Sequence, residues 1–198
     1  MTSKDFFICG SLDEGYVYYS KIKNYIRSIT DAQIIGTCYR TPVGFPVVLE
    51  EGQDSIPGQL LTLELSTVSE AVLDEFQGYN PQNPLLSLTD KKSVLVTKQG
   101  FGTTEAITYF LNPAKKTPAF IHIPGGDWRE SLQQNPALTS RLTERQKTYI
   151  AKLGGCSGRD IVPIDMALYR ELMNLELIVD KGRRLALSKL GQEVCRYL

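Results

Sequence analysis

The first stretch of this 198-residue chain that could do chemistry is Cys9-Gly10-Ser11-Leu12, which follows a short apolar run. The run predicts a buried strand. Gly10 and Ser11 predict a break, because glycine adopts backbone angles closed to other residues and serine bonds to nearby amides. A strand that turns into a helix here leaves N–H groups able to hold a carboxylate or carbonyl oxygen. An ordinary turn is the alternative interpretation.

Cys9 is a candidate nucleophile because it adjoins this predicted oxygen-binding turn. No Cys–His arrangement that would activate it is visible in the sequence, and a buried strand thiol is the simpler interpretation. The chain has four widely separated cysteines, no CxxC motif and one histidine. This pattern predicts free thiols in a reducing compartment and argues against a zinc site.

The composition is that of an ordinary globular protein, with 42% hydrophobic and 22% charged residues. Twenty-two basic residues balance twenty-two acidic ones, so the whole-chain charge does not indicate a nucleic-acid or membrane partner. No apolar stretch is long enough to predict a membrane span or a signal peptide. The cytoplasm is therefore the predicted location.

The elements that would position the turn form a mixed α+β domain built around a curled sheet. Tyrosines and isoleucines at helical spacing predict a helix over residues 13–29. Alternating patterns predict strands over residues 33–39, 47–50, 56–65, 93–97 and 105–111. A second helix is predicted to begin at Ser66 or Thr67, with Glu70 in a capping box, and to end at Gln77 with Gly78 as its cap.

The last third of the chain has a different pattern. The polar residues 133–136 predict a boundary between a domain over residues 1–135 and a module over residues 141–198. The module is predicted to contain a helix from Thr143, a helix over residues 163–174, a hairpin at Asp180-Lys181-Gly182 and a final helix.

Taken together, the segments of the first domain resemble the γ-glutamylcyclotransferase-like superfamily, which includes the γ-glutamylamine cyclotransferases. Six pieces in the family's order carry the resemblance: Cys9-Gly10-Ser11-Leu12, Ile34-Ile35-Gly36-Thr37-Cys38-Tyr39, Gly44-Phe45-Pro46, Pro57-Gly58-Gln59-Leu60, Leu73-Asp74-Glu75-Phe76-Gln77-Gly78-Tyr79 and Gly125-Gly126-Asp127-Trp128. The resemblance implies a small mixed β-barrel with flanking helices. It also implies a reaction in which a γ-glutamyl α-amine attacks its own side-chain amide and 5-oxoproline is released.

The resemblance places the base of this reaction at Gln77, where the family has a glutamate. A carboxamide has no useful proton affinity near neutral pH, whereas a carboxylate can be tuned into range. Further departures are Cys9 in place of a tyrosine, Gln59 in place of an acidic residue, and Leu88-Thr89-Asp90-Lys91 in place of a Tyr-x-Arg segment. These losses of polar chemistry predict a catalytically degenerate domain.

Another base would have to replace Gln77 if the domain were active. Glu75 is two residues away and lies on a different helix face. Asp74 is nearer, but a solvated or capping role is its ordinary one. His122 stands among apolar neighbours, which is typical of a structural histidine.

The C-terminal module resembles a winged helix, with a leucine-rich helix, a hairpin wing and a closing helix. Wing-tip basic residues contact phosphates in such folds, and here they are Lys181, Arg183 and Arg184. The predicted second helix carries Asp165 and Glu171, which does not favour groove recognition. Winged helices also serve as protein-docking modules.

Three functions stay open at this point. The first is a binding protein for a small γ-glutamyl or amino-acid-like ligand, held by Cys9, Gly10, Ser11, Leu12 and Tyr79, with a partner on the C-terminal module. The second is an active γ-glutamyl cyclotransferase, or a related acyl-transfer enzyme, that uses another base. The third is a DNA-binding regulator. No cofactor, metal or membrane partner is predicted.

Overall fold

The computed structural model describes residues 3–16, 18–64, 66–100, 102–156 and 160–198. The contacts divide the chain into two compact units. The first takes in Met1–Thr41 and Phe45–Gln134, and the second Pro42–Gly44 and Asn135–Leu198. The division into independent domains at 1–135 and 141–198 stays a prediction.

The first unit is organised around one mixed sheet. Its strands are β1 (Ser3–Ile8), β2 (Ile26–Arg40), β3 (Pro46–Glu64), β4 (Thr89–Lys98), β5 (Gly102–Leu111) and β6 (Ile121–His122). The order is β3-β1-β5-β4-β2-β6, and β2 pairs additionally with β3. The β1–β5 pair is parallel, whereas β3 is antiparallel to both β1 and β2. Because β3 is bonded to both of these strands, the sheet curls, as the predicted α+β fold requires.

Two α-helices accompany the sheet: α1 (Thr67–Gln77) and α2 (Trp128–Gln134). Ser66 caps α1 through the backbone N–H of Ser69, and the Ser69 hydroxyl accepts the N–H of Ser66. The capping box therefore uses Ser69 rather than the predicted Glu70. Gly78 ends α1 in the left-handed conformation, with φ of 74°, as predicted.

The core of this unit is a cluster of apolar side chains from the strands and α2. Its members are Phe7, Ala32, Ile34, Cys38, Val48, Ile56, Leu60, Val96, Ala106, Phe110, Ile123 and Trp128. Trp128 is fully buried and donates its indole N–H to the backbone oxygen of Pro57 at 2.6 Å. This bond fixes the start of α2 against β3.

The predicted helix over residues 13–29 is wrong. The segment contains two short 3₁₀ turns, Tyr19–Lys21 and Lys23–Tyr25, and β2 already begins at Ile26. Ile26 pairs with Leu63 of β3. Backbone pairing with a distant strand therefore overrides the helical spacing, and isoleucine suits a pleated surface.

The two strands predicted at 47–50 and 56–65 are parts of one strand, β3. The predicted turn between them is an irregularity in the β2–β3 ladder, where the register moves from Gly36–Asp54 to Thr37–Leu49. The Thr37 hydroxyl donates to the Glu51 backbone oxygen at 2.6 Å and so ties the extra residues to β2. The predicted contributions of Leu65, of the Thr67 and Val68 side chains and of Phe101 lie outside the described residues and side chains.

The second unit has the predicted order of helices and hairpin. It contains α3 (Leu138–Arg141), α4 (Glu144–Gly155), α5 (Met166–Asn174), β7 (Ile178–Asp180), β8 (Leu185–Leu187) and α6 (Lys189–Arg196). Its buried side chains include Tyr149, Ile150, Leu153, Leu168, Leu172, Leu177, Ile178 and Val194. Thr143 caps α4, and Asp165 caps α5 by accepting the N–H groups of residues 167 and 168.

Candidate functional site

The Gly10 loop, defined here as residues 10–12, leaves β1 in a tight turn. Gly10 has φ of +99°, and its carbonyl oxygen accepts the N–H of Asp13 at 3.1 Å. The Ser11 carbonyl oxygen accepts the N–H of Tyr18 at 3.1 Å. A side chain at position 10 would be strained by this φ and would place its Cβ 2.9 Å from Cγ of Pro46. The loop therefore has the sharp turn that the sequence predicts, although the described residues between it and β2 form 3₁₀ turns rather than the predicted α-helix.

Two amides of this loop lack protein acceptors. Within the described part of the chain, the N–H groups of Ser11 and Leu12 have no hydrogen-bond partner. Both residues are buried, with exposed fractions of 7% and 1%. Buried N–H groups are nearly always paired in proteins, so these two are candidates to meet an oxygen atom of a ligand.

Asp13 lies directly after the loop and is a fully buried carboxylate. Its Oδ2 accepts a hydrogen bond from Nη2 of Arg129 at 3.0 Å. Its Oδ1 has no partner, and it is the only such buried side-chain oxygen or nitrogen among the described residues. Burial raises the pKa of Asp13 from 3.8 to about 7; the hydrogen bond and charge of Arg129 oppose this rise, and the charge of Asp31 adds to it.

The loop cysteine has the environment of a structural thiol. Burial is the largest cause that raises the pKa of Cys9 well above its ordinary value, and the charges of Cys38 and Asp13 act in the same direction. Arg129 opposes them. A thiol with a raised pKa stays protonated at neutral pH and is a poor nucleophile, which favours the buried-thiol interpretation of Cys9.

Gln77 is the last residue of α1 and is half-buried. Its backbone oxygen accepts a hydrogen bond from the Thr89 hydroxyl at 3.0 Å. The ring of Phe76, the preceding residue, lies 4.9 Å from the ring of Tyr18, and Tyr18 is bonded to the Gly10 loop. The C-terminal end of α1 is thus connected to the loop through one tyrosine. The Gln77 carboxamide has no partner among the described residues.

The alternative bases considered from the sequence lie elsewhere. Asp74 is occupied by the Lys91 ammonium at 2.8 Å and by the Tyr109 hydroxyl at 2.6 Å. Glu75 is exposed on α1. His122 is half-exposed on β6, with its Nε2 3.6 Å from a carboxylate oxygen of Asp54. No contact brings any of these three to the Gly10 loop within the described chain.

Tyr79 lies in a different environment from the loop. Its ring is 5.8 Å from the Lys91 ammonium and 6.3 Å from the ring of Tyr109. It lines a cavity of about 1170 Å³ to which Asp74 and Leu86 also contribute and the Gly10 loop does not. The structure therefore brings Cys9, Gly10, Ser11 and Leu12 together but places Tyr79 beside Lys91 and Tyr109.

The hairpin residues singled out by the sequence are all exposed. Lys181, Arg183 and Arg184 occupy the turn between β7 and β8. The N–H of Lys181 donates to the Arg184 carbonyl oxygen at 2.9 Å, and Asp180 accepts the N–H of Gly182 at 2.7 Å. These bonds hold the turn and leave the three cationic side chains in solvent.

Sequence reasoning missed the Asp13–Arg129 pair. The two residues are 116 positions apart, and nothing local to either one indicates the other. The structure also gives no group of three or more His, Cys, Asp or Glu side chains, among the residues it describes, that could hold a metal ion.

A family model described as gamma-glutamyl cyclotransferase, AIG2-like, matches residues 6–130. The chain belongs to this family. The match covers both the Gly10 loop and the end of α1. The protein is γ-glutamylcyclotransferase-like over residues 6–130.

Solved structures of the family's fold resemble this chain at low sequence identity. YkqA from Bacillus subtilis is 21% identical, with a TM-score of 0.50 over 67% of this chain and 42% of YkqA. The uropathogenic E. coli-specific protein c4763 is 14% identical, with a TM-score of 0.50 over 67% of this chain and 98% of c4763. The chain thus matches less than half the length of YkqA, and both likenesses concern the fold.

No curated protein sequence matches this chain significantly. Among the described residues, no helix is both long enough and apolar enough to cross a bilayer.

Proposed function

We propose that this γ-glutamylcyclotransferase-like protein is non-catalytic and binds a small γ-glutamyl or amino-acid-like ligand at the Gly10 loop. The observation that carries the proposal is the presence of two unpartnered amides, those of Ser11 and Leu12. The resemblance to the family adds that a carboxamide, Gln77, stands where a glutamate base is expected. The amides are suited to hold the ligand's γ-carbonyl oxygen. Gln77 is suited to hydrogen-bond an ammonium group but not to accept its proton.

The chemistry of cyclisation explains why the residue at position 77 determines whether 5-oxoproline can form. The α-nitrogen must lose a proton before its lone pair attacks the γ-carbonyl carbon. That proton then passes to the departing nitrogen as its C–N bond breaks. A base within hydrogen-bond reach of the nitrogen is therefore required. Asp13 is the carboxylate next to the loop, but its side chain has no exposed surface and its Oδ2 is bound to Arg129. The proposal therefore places the ligand's α-nitrogen at Gln77.

The test compares the wild type with Gln77→Glu on a panel of γ-glutamyl dipeptides and γ-glutamylamines, following 5-oxoproline. We expect no turnover by the wild type, binding of the ligand by calorimetry, and measurable turnover by Gln77→Glu. Gln82→Glu, at an exposed position of the next loop, is the matched control and should stay inactive. Turnover by the wild type would overturn the proposal. It would also be overturned if the wild type bound none of these compounds and Gln77→Glu formed no 5-oxoproline.

The finer architecture is also part of the proposal. The double pairing of β3 supports a small barrel, and the helix–helix–hairpin–helix order of the second unit supports a winged-helix-like module. The four cysteines are all free thiols, which supports the predicted cytoplasmic location.

A second candidate function concerns the hairpin of the second unit. The exposure of Lys181, Arg183 and Arg184 favours contact with phosphate groups of a nucleic acid or with an acidic protein partner. We expect weak, salt-dependent binding to duplex DNA. When Lys181, Arg183 and Arg184 are all changed to Gln, the plot of log K against log salt should become shallower by about 3. Lys152→Gln on α4 is the control. An unchanged slope would exclude the hairpin as a nucleic-acid contact.

A further inference from the structure

A small cavity on the first unit is lined by charged side chains that the proposed function does not use. Its volume is about 320 Å³, and its charged lining residues are Asp31, Lys98 and Arg129. Residues 32–33, 57–58, 97 and 99–100 complete its lining. No residue of the Gly10 loop lines it, so it is a separate site from the proposed one.

Arg129 connects this cavity with the buried Asp13. One guanidinium nitrogen, Nη2, bonds Asp13, and the guanidinium carbon lies 5.3 Å from the Trp128 ring. The Arg129 side chain remains 34% exposed. Asp13 is its only hydrogen-bond partner among the described residues, although a guanidinium has five N–H donors. The donors not used by Asp13 are available to an acceptor in the cavity.

The other two charged groups of the cavity are also uncommitted. Neither the Lys98 ammonium nor the Asp31 carboxylate forms an ion pair within the described residues, and the backbone oxygen of Asp31 accepts the N–H of Gln99 at 3.2 Å. Two cations and one carboxylate around one small space complement a ligand that carries both a carboxylate and an ammonium group. The cavity volume corresponds to that of about ten water molecules, which accommodates a free amino acid.

We propose that this cavity binds a free α-amino acid, with its carboxylate on Arg129 and Lys98 and its ammonium on Asp31. The guanidinium then lies between two carboxylates, the ligand's on its exposed side and that of Asp13 on its buried side. This inference goes beyond the proposed function, because it needs neither the Gly10 loop nor Gln77.

The shared guanidinium links binding to the proton on Asp13. The charged and titratable groups around Asp13 are Arg129 on α2, Asp31 on β2, and Cys9 and Tyr16 from its own segment. Arg129 is the only one of these that lowers the pKa of Asp13, which lies at about 7. A second carboxylate at Arg129 weakens this effect, so ligand binding at neutral pH should draw a proton onto Asp13.

The experiment is calorimetry at neutral pH with three probes that share the same side-chain amide. L-glutamine carries both charged groups, 5-amino-5-oxopentanoate lacks the ammonium and 4-aminobutanamide lacks the carboxylate. We expect L-glutamine to bind about fivefold more tightly than the analogue without the ammonium and about tenfold more tightly than the one without the carboxylate. Its binding enthalpy should depend on the ionisation enthalpy of the buffer, which reports proton uptake.

Variants assign the site. Asp31→Asn should remove the preference for the ammonium, and Lys98→Gln should weaken both carboxylate probes. Asp90→Asn and Lys23→Gln, which lie outside the cavity, should change nothing. The double variant Asp13→Asn/Arg129→Gln keeps a neutral pair in the buried position and should abolish binding and proton uptake. Trp128 fluorescence checks that it is folded.

Two results would overturn the inference. One is the absence of L-glutamine binding by the folded wild type at millimolar concentrations. The other is binding that survives Lys98→Gln and Asp31→Asn but is lost in Gly10→Ala, whose fold is checked in the same way. That second result would place the amino acid at the Gly10 loop, and the proposed function would stand while this inference fell. Conversely, 5-oxoproline formation by the wild type would overturn the proposed function and leave this inference standing, because that assay tests only the Gly10 loop.

Discussion

The burial of Asp13 should make the first unit lose stability as the pH rises from acid to neutral. The pKa of Asp13 is raised from 3.8 to about 7 in the folded protein. The folded state therefore holds this proton more tightly than the unfolded state. The stabilisation from the proton is fully present below the unfolded pKa and is lost as the pH rises through the folded pKa.

The size of the effect follows from the two pKa values of Asp13. Between 3.8 and about 7 the folded state keeps a proton that the unfolded state has released, so the slope is about 1.4 kcal/mol per pH unit. Over the whole interval the loss amounts to about 4 kcal/mol. Asp13→Asn removes the titration, so the free energy of unfolding of the wild type should fall by this amount relative to the variant.

Denaturant unfolding at several pH values, followed by tryptophan fluorescence, measures this difference. The chain has one tryptophan, Trp128, which is fully buried in the first unit and adjoins Arg129, so the signal reports the unit that contains Asp13. Subtracting the variant's curve cancels the other carboxylates. Asp31→Asn is the control, because it removes a charge that raises the pKa of Asp13. It should lower the pH at which the loss of stability ends and leave the loss per pH unit unchanged. If the difference in unfolding free energy between the wild type and Asp13→Asn does not change with pH, the reasoning is refuted. A difference that grows in favour of the wild type with pH would show that the Arg129 ion pair outweighs burial.

Two other substitution experiments follow from the same unit. Lys91→Met should cost about 3–5 kcal/mol of unfolding free energy, because it leaves Asp74 buried with its cation gone; the two side chains are only 14% and 10% exposed. Tyr109→Phe, which removes a single hydroxyl donor to the same carboxylate, should cost about 1–2 kcal/mol, and equal costs in urea unfolding would contradict this ranking. Ser66→Ala should cost about 1 kcal/mol by removing the α1 cap, whereas Ser66→Asp should retain stability, and a neutral Ser66→Ala would show that the cap is not needed.

Local signals were sufficient to predict the parts of the site that are close in sequence. The apolar run of β1 and the break at Gly10 are both present, because a strand end and a glycine turn are decided by neighbouring residues. The end of α1 at Gln77, with Gly78 as its cap, was predicted for the same reason. These two local features are the ones on which the proposed function depends.

Long-range partners account for what the sequence did not reveal. Residues 13–29 have helical spacing, yet Ile26 belongs to a strand because β3 supplies its hydrogen bonds. The charge on Asp13 is balanced by a residue 116 positions away. Lys91, first noted as a mismatch to the family pattern, lies beside Asp74 and bonds its carboxylate. In each case the residue's environment is determined by a partner that is distant in sequence and that only the fold brings into contact.

The parallel pairing of β1 with β5 also determines when the chain can complete its sheet during synthesis. β2 and β3 are consecutive and can pair as soon as both have left the ribosome, and β1 can then join β3. The second edge of β1 has to wait for β5, whose pairing residue Ile107 lies about a hundred positions after Phe6. Until then a strand with buried phenylalanines has an open edge, which is the kind of surface that pairs with other chains. A chain truncated before residue 102 should therefore aggregate more readily than the full chain, and sedimentation after expression measures this difference.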